Sequence, residues 1–207
     1  MSKAANNGAW SVDDARSLYN IDRWGVGYFG INTRGCVEVR PLQEEGASVE
    51  IKAVLAEARN RGLRYPMLLR FQDIVRHRVA AINGAFKESI DRHNYRARYR
   101  GVFPVKVNQL REVVEEIVDS GKKFDFGLEV GSRPELFAAL AMMDAPGSLI
   151  VCNGYKDDDF IRVALMGNQL GKQVVLVIEK LEELPAIVRI ARETGVEPII
   201  GMRLRLL

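Results

Sequence analysis

From Gly101 onward the sequence keeps a regular beat of strand and helix. Five apolar, strand-like runs, at 101–107, 124–130, 148–152, 173–178 and 198–206, start about 24 residues apart, a period that marks repeated structural units. Four stripes at helical spacing lie between them. They are Val113, Val114, Ile117 and Val118; then Leu136, Phe137, Leu140 and Ala141; then Phe160, Ile161, Ala164 and Leu165; then Leu184, Ile187, Val188 and Ala191. Gly121, Gly171 and Gly195 stand where three of these helices should stop. Apolar strands alternating with helices predict an α/β fold, a parallel sheet covered by helices. A doubly wound open sheet and a (β/α)8 TIM-type barrel both satisfy that pattern. Short regular units, with no phosphate-binding glycine loop after the first strand, favour the barrel, whose eight units take about 250 residues. The sequence supplies about five of eight strands and stops at Leu207, inside the fifth. The front part of a longer chain is therefore expected.

The residues before Gly101 read differently. Residues 1–9 are small and polar. Ser11 is a candidate N-cap, with Asp13 and Asp14 in the first turn of a helix through Leu18. In WGVGYFG, the positions Gly25, Gly27 and Gly30 have the spacing of a dinucleotide fingerprint. That motif needs a strand before it and a helix after it. Here a helix precedes, and INTRGCVEVR follows as a hairpin that turns near Asn32 to Gly35 and returns over 36–40. A small β-element is the better reading. A helical period covers 49–58, a strand-like run covers 65–71, and a long amphipathic helix starts at Asp73 with Ile74, Val75, Val79, Ile82 and Phe86 on one face. Residues 1–60 are expected to form a hairpin-and-helix segment of a β-domain, and 61–207 an incomplete barrel.

Charge and composition exclude several function classes. Thirty basic and 27 acidic residues leave +3, too balanced for a nucleic-acid surface. The densest basic stretch, RHNYRARYR at 92–100, reads as a solvated linker before the first repeat strand. Two cysteines, Cys36 and Cys152, are too few for a disulfide framework and lack metal-ligand spacing. A reduced, cytoplasmic protein is expected. The N-terminus has no apolar signal core, and no run approaches a membrane span. His77 and His93 both lie in charged surroundings and read as surface residues.

Chemistry in barrels sits at the C-terminal ends of strands, and here every such end is polar. Lys106 and Asn108 end the first run, and Glu129, Gly131 and Ser132 the second. Asn153, Gly154 and Tyr155 end the third, Glu179 and Lys180 the fourth, and the fifth carries Arg203 and Arg205. Polar residues mark where any strand leaves a core, which accounts for some of these. It accounts less well for Lys106 and Arg203, which have apolar neighbours on either side. Within GVFPVKVNQ, Lys106 is either a strand-end lysine that snorkels to water or an amine kept from water for use in a Schiff base.

The stretch FPVKVNQ resembles the lysine motif of the pyridoxal-phosphate decarboxylases of the alanine-racemase-like barrel fold. GLEVGSRPEL, IVCNGYKDDDFIRVAL, WGVGYFGIN and VVLVIEK resemble the arginine decarboxylase branch of that family, and the similarity runs from about Tyr19 onward. The resemblance implies pyridoxal phosphate as cofactor and L-arginine as the small-molecule substrate. The products would be agmatine and carbon dioxide, as in polyamine (spermidine) biosynthesis. It implies Lys106 as the Schiff-base lysine, Glu129 as an acidic residue beside the cofactor, Arg203 as an arginine reaching the same pocket and Glu135 as a second acidic position. It also implies a magnesium requirement, a homo-oligomeric full-length enzyme and a β-domain completed by C-terminal strands. The ring-stacking histidine, the glycine-rich phosphate loop and the acid on the pyridine nitrogen would lie on later strands, so this chain alone is expected to be inactive. The alternatives are a non-enzymatic pyridoxal-phosphate carrier, a cofactor-free regulatory module, and a decarboxylase of the same fold with another amino-acid substrate.

Overall fold

The structure is a computed structural model that describes residues 10–204. Residues 1–9 and Arg205, which the repeat pattern had put on the fifth strand, lie outside the described residues. The chain divides into two compact units between His77 and Arg78.

The first unit opens with α1 (Val12–Tyr19) and α2 (Ile21–Gly25). Ser11 caps α1 in a reciprocal capping box: Asp14 N–H donates to Ser11 Oγ at 3.1 Å, and Ser11 N–H donates to Asp14 Oδ2 at 2.9 Å. The hairpin forms as expected from β1 (Phe29–Ile31) and β2 (Val37–Val39), with Ile31 opposite Val37. Gly27 sits in a turn and Gly30 inside β1, with no helix after them, so the fingerprint spacing has no dinucleotide context. A two-residue strand, β3 (Val49–Glu50), pairs with β2 ahead of α3 (Ile51–Asn60). It is too short to leave a period in the sequence. The strand-like run 65–71 is not a strand: Pro66 removes a ladder donor, and no strand of the β1–β2–β3 sheet pairs with it. His77 is half-buried rather than a surface residue, because the hydroxyl of buried Tyr28 hydrogen-bonds its Nδ1 at 2.6 Å. His93 is exposed. The unit boundary falls within the long helix α4 (Gln72–Arg92).

The second unit repeats β then α. Its elements are β4 (Val102–Pro104), α5 (Arg111–Gly121), β5 (Gly127–Val130), α6 (Arg133–Met142), β6 (Leu149–Cys152), α7 (Asp158–Gln169), β7 (Gln173–Ile178), α8 (Glu183–Thr194) and β8 (Ile199–Met202). All neighbouring strands are parallel, and their order in the sheet is their order in the chain. A doubly wound sheet reverses direction at a switch point. This one never does, so it is the arc of a barrel. The strands are shorter than the apolar runs. Pro104 has no donor to continue β4, and residues 105–107 close into a 3-10 turn. Arg203 lies just past β8 rather than within it.

One face of the sheet carries the core. Val174, Leu176 and Ile178 of β7 alternate into it, with Ile150 and Cys152 of β6 and Leu128 and Val130 of β5. The stripes of α5 and α7 are buried as expected. The α6 stripe is shifted: Leu136 and Ala139 are buried, while Phe137 is 57% exposed. Ala139, spaced i+3 from Leu136, joins it in the core on the same face of α6. In α8 the buried pair is Ile187 and Ile190, with Leu184 and Val188 on the margins. The basic linker after α4 is not simply solvated. Arg100 bonds the Gly147 carbonyl at 3.1 Å and Gln173 Oε1 at 2.9 Å, and Arg98 pairs with Asp125 at 3.1 Å. These contacts lock the N-terminal ends of the strands and leave the C-terminal ends for chemistry.

Candidate active site

The C-terminal rim is joined by a run of polar contacts that crosses all five strands. It begins at Lys106, in the turn after β4. Lys106 Nζ lies 3.5 Å from Glu129 Oε1. Glu129 belongs to β5 and is paired in register with Pro104, so the two strand ends bring amine and carboxylate together. The same Oε1 accepts a hydrogen bond from Asn153 Nδ2 at 2.9 Å. Asn153 follows β6, and its backbone N–H is tied to the Val130 carbonyl at 2.8 Å, which fixes where its side chain starts. The next residue, Gly154, donates its N–H to Glu179 Oε1 at 2.7 Å. Glu179 follows β7 and accepts Arg203 Nη1 on its other oxygen at 3.0 Å. Arg203 is held by its own N–H on the Ile178 carbonyl at 3.1 Å.

The glycine in this run is obligatory. Gly154 has φ +75°, and a Cβ there would stand 2.5 Å from the Gly131 carbonyl oxygen. A side chain would force the turn away from β5. Behind the turn lies a buried ion pair. Lys156, whose side chain is 0% exposed, stands 3.2 Å from Glu183 Oε2 and donates to the Gly154 carbonyl at 2.6 Å. Glu183, the first residue of α8, also accepts the backbone N–H groups of Lys156 and Glu179, each at 3.0 Å.

Burial separates the roles of these groups. The Lys106 side chain is 61% exposed and that of Glu129 only 7%. The amine reaches over the rim while its carboxylate partner stays buried. A pair this open contributes about 0–1 kcal/mol to stability, whereas breaking a buried pair such as Lys156–Glu183 costs about 3–5 kcal/mol. Glu179 is held below the ordinary carboxylate range, first by the Gly154 N–H and also by Arg203, against the opposing effect of burial. For Glu183 burial is the largest single influence and opposes ionisation. The Glu179 and Lys156 N–H groups and the Lys156 ammonium together outweigh it and lower the pKa. Cys152, packed in the core below Asn153, has its thiol pushed up to about 12 by burial.

The four residues singled out in the sequence do not all meet. Lys106 and Glu129 do. Arg203 joins them only through Glu179, Gly154 and Asn153. Glu135 serves its own helix: it accepts the Gly131 N–H at 2.7 Å and Gln109 Nε2 at 2.7 Å, and its N–H donates to the N-cap Ser132 at 3.4 Å. Lys156 and Glu183 were not anticipated. Lys156 sits among aspartates in GYKDDD, a pattern that reads as surface. A groove of about 590 Å³ opens between α5 and α6, lined by Val114, Val118, Leu128, Ala139 and Met142 among others. It lies on the helix-covered side, and none of Lys106, Glu129 and Arg203 lines it.

The second unit coincides with a known family. Residues 78–206 match the model described as pyridoxal-dependent decarboxylase, pyridoxal binding domain, which is more than half of the chain. The chain belongs to that family. It is 44% identical over 204 residues to the biosynthetic arginine decarboxylase of Parasynechococcus marenigrum, covering 99% of this chain and 32% of that protein. It is 48% identical over 197 residues to that of Rhodopirellula baltica, covering 95% of this chain and 29% of that protein. The crystal structure of the biosynthetic arginine decarboxylase from Campylobacter jejuni superposes with a TM-score of 0.82 at 34% identity, covering 91% of this chain and 31% of that one. The chain thus spans about a third of the length of the curated relatives it matches.

Proposed function

We propose that this chain is the lysine-bearing part of an arginine decarboxylase, which converts L-arginine to agmatine and carbon dioxide with pyridoxal phosphate, as in polyamine biosynthesis. The observation that carries the reading is Lys106 on the rim of a family-matched barrel arc, with its amine 3.5 Å from a buried carboxylate. The relatives at 44% and 48% identity, both named biosynthetic arginine decarboxylase, support the substrate.

The residues fit the cofactor by the chemistry of their donor set. Lys106 offers an accessible primary amine to an aldehyde, and Arg203 adds a guanidinium on the same rim for negative charge. Lys106 and Arg203 would hold the group, and Glu129 and Glu179 would set their positions. Pyridoxal phosphate, when bound, supplies the electron sink that accepts the charge left as carbon dioxide departs. Glu129 is within reach to take the proton that Lys106 Nζ must lose before it can act as a nucleophile, and to return it. Asn153 keeps one Glu129 oxygen fixed and leaves the carboxylate oriented toward the amine. Glu135 would act at one remove, by fixing the Gly131–Ser132 bend that follows Glu129.

Among the described residues no group of three or more His, Cys, Asp or Glu side chains could hold a metal ion, and magnesium is proposed on the family resemblance alone. No described helix is long and apolar enough to cross a membrane. A cytoplasmic homo-oligomer is the assembly that a biosynthetic enzyme of this family suggests.

The test uses a protein of the relatives' length that carries this chain, given pyridoxal phosphate and carboxyl-labelled amino acids. Labelled carbon dioxide should come from arginine in preference to ornithine, lysine or diaminopimelate, and Lys106→Ala should abolish it. Preferential release from one of the other amino acids would overturn the substrate, and full activity in Lys106→Ala would overturn the site.

A further inference from the structure

Lys156 and Glu183 lie one layer behind the rim and touch neither Lys106 nor Arg203, the two residues that would hold the cofactor. Their burial needs a reason. An ion pair taken out of water costs more to bury than an apolar pair of the same shape, and it returns that cost only when its geometry is good and its remaining hydrogen bonds are made. Here they are made. Glu183 accepts the Lys156 ammonium and two backbone N–H groups, those of Lys156 and Glu179. Lys156 Nζ also takes the Gly154 carbonyl. Each bond ends on the Gly154–Lys156 turn or on the residue that closes β7. The turn is therefore clamped from behind, and its front end is Asn153, which donates to Glu129 Oε1.

We propose that Lys156 and Glu183 are a positioning pair for Lys106: by clamping the Asn153–Lys156 turn they fix Asn153 on Glu129, the carboxylate beside the Lys106 amine. This rests on the reading of Lys106 as the cofactor lysine. The pair acts through Asn153 and takes no part in bond making. Its geometry matters because a displacement on the order of 1 Å at such a site costs roughly a hundredfold in rate.

The test measures how selectively pyridoxal phosphate condenses with Lys106 in the full chain. Borohydride fixes the adduct, and peptide mapping compares labelling at Lys106 with the summed labelling of the other lysines. Circular dichroism at the working temperature selects variants that are folded, so loss of overall stability does not enter the ratio. Glu183→Gln should lower the Lys106 ratio by roughly tenfold, within the range such a misplacement produces. Where Glu183→Gln does not fold, Lys156→Met/Glu183→Gln, which buries no unpaired charge, takes its place. Asn153→Ala should lower the ratio to the same extent. Combining it with Glu183→Gln should add nothing, since groups that act through one another are not additive. An unchanged ratio in the folded pair variants, or a fully additive double variant, would overturn the positioning role alone. A wild-type chain with no preference for Lys106 would overturn the cofactor lysine, and the positioning role with it.

Discussion

Lys106 Nζ and Glu129 Oε1 stand 3.5 Å apart across the ends of two adjacent parallel strands, one side chain largely in water and the other almost wholly out of it. The carboxylate is anchored by Asn153, so the amine is the movable member of the pair. That asymmetry suits the role proposed for Lys106, whose amine would exchange one partner for another. It also separates chemistry from stability on the same rim.

The first expectation follows from that separation. Lys106→Ala should change unfolding free energy by less than about 1 kcal/mol, the value of an open ion pair. Glu183→Ala leaves the buried Lys156 ammonium with only the neutral Gly154 carbonyl and two N–H groups without their acceptor, and should cost about 3–5 kcal/mol. Urea unfolding of both variants measures the difference. Equal losses would mean that the rim and the layer behind it are not energetically distinct.

Acid should loosen the rim and the layer behind it, and neutral pH should not. Glu179 and Glu183 both have pKa values lowered on folding. The unfolded state therefore binds protons more readily than the folded one below the ordinary glutamate value of about 4.3. The stabilisation from these two groups is fully present above that value and is lost as pH falls through their lowered folded values. Denaturant midpoints measured from pH 6 down to pH 3 should fall, and Glu179→Gln should fall less steeply than wild type. A parallel decline in the two proteins would contradict the assignment.

The two thiols should behave differently in the folded protein. Cys152 is buried, with its pKa raised to about 12, whereas Cys36 is only half-buried. A thiol reagent at pH 8 should label Cys36 at native conditions and reach Cys152 only on unfolding. Peptide mapping after a short pulse distinguishes them, and rapid native labelling of Cys152 would show that the β6 end opens.

Gly154→Ala should be costly although it adds one methyl group. The position combines φ +75° with the close Gly131 carbonyl, and backbone strain of this kind costs on the order of 1–3 kcal/mol. Thermal unfolding should therefore drop by roughly 2–4 °C for each kcal/mol lost, as in domains of 150–250 residues. Gly171 shares the positive φ, at +79°, but its added Cβ would meet nothing within 4 Å, so its substitution carries the backbone strain without the clash and should cost less. Equal shifts at the two positions would remove the steric argument.

Much of this arrangement was legible in the sequence, for physical reasons that differ by region. The strand–helix beat revealed the repeat because each buried strand needs an apolar run and each covering helix a stripe. Sequential strand order followed from the regular unit length. Lys106 and Glu129 were visible because they interrupt apolar runs where strands should end. The short β3 left no trace, since two residues carry no period. Tyr65–Phe71 carries strand-like composition without a pairing partner, which only tertiary contacts reveal. Phe137 belongs to the apolar stripe of α6 by its spacing, yet Leu136 and Ala139 are the buried pair and Phe137 stays exposed, because composition marks the stripe without fixing its centre. Lys156 and Glu183 were hidden for the opposite reason: both look like surface charges, and only the fold pairs them out of water. Arg203, Glu179, Gly154, Asn153 and Glu129 are all visible as polar strand ends, but the contacts that link Arg203 to Lys106 through the other four form only when the strand ends are side by side.

Lys106 is proposed here as the amine that holds pyridoxal phosphate. Incubating the chain with the cofactor, reducing with borohydride and locating the pyridoxyl group by peptide mapping tests it directly. A dominant label should fall on Lys106 and disappear in Lys106→Ala without moving to a neighbouring lysine. Labelling spread evenly over the exposed lysines, or undiminished in Lys106→Ala, would contradict it.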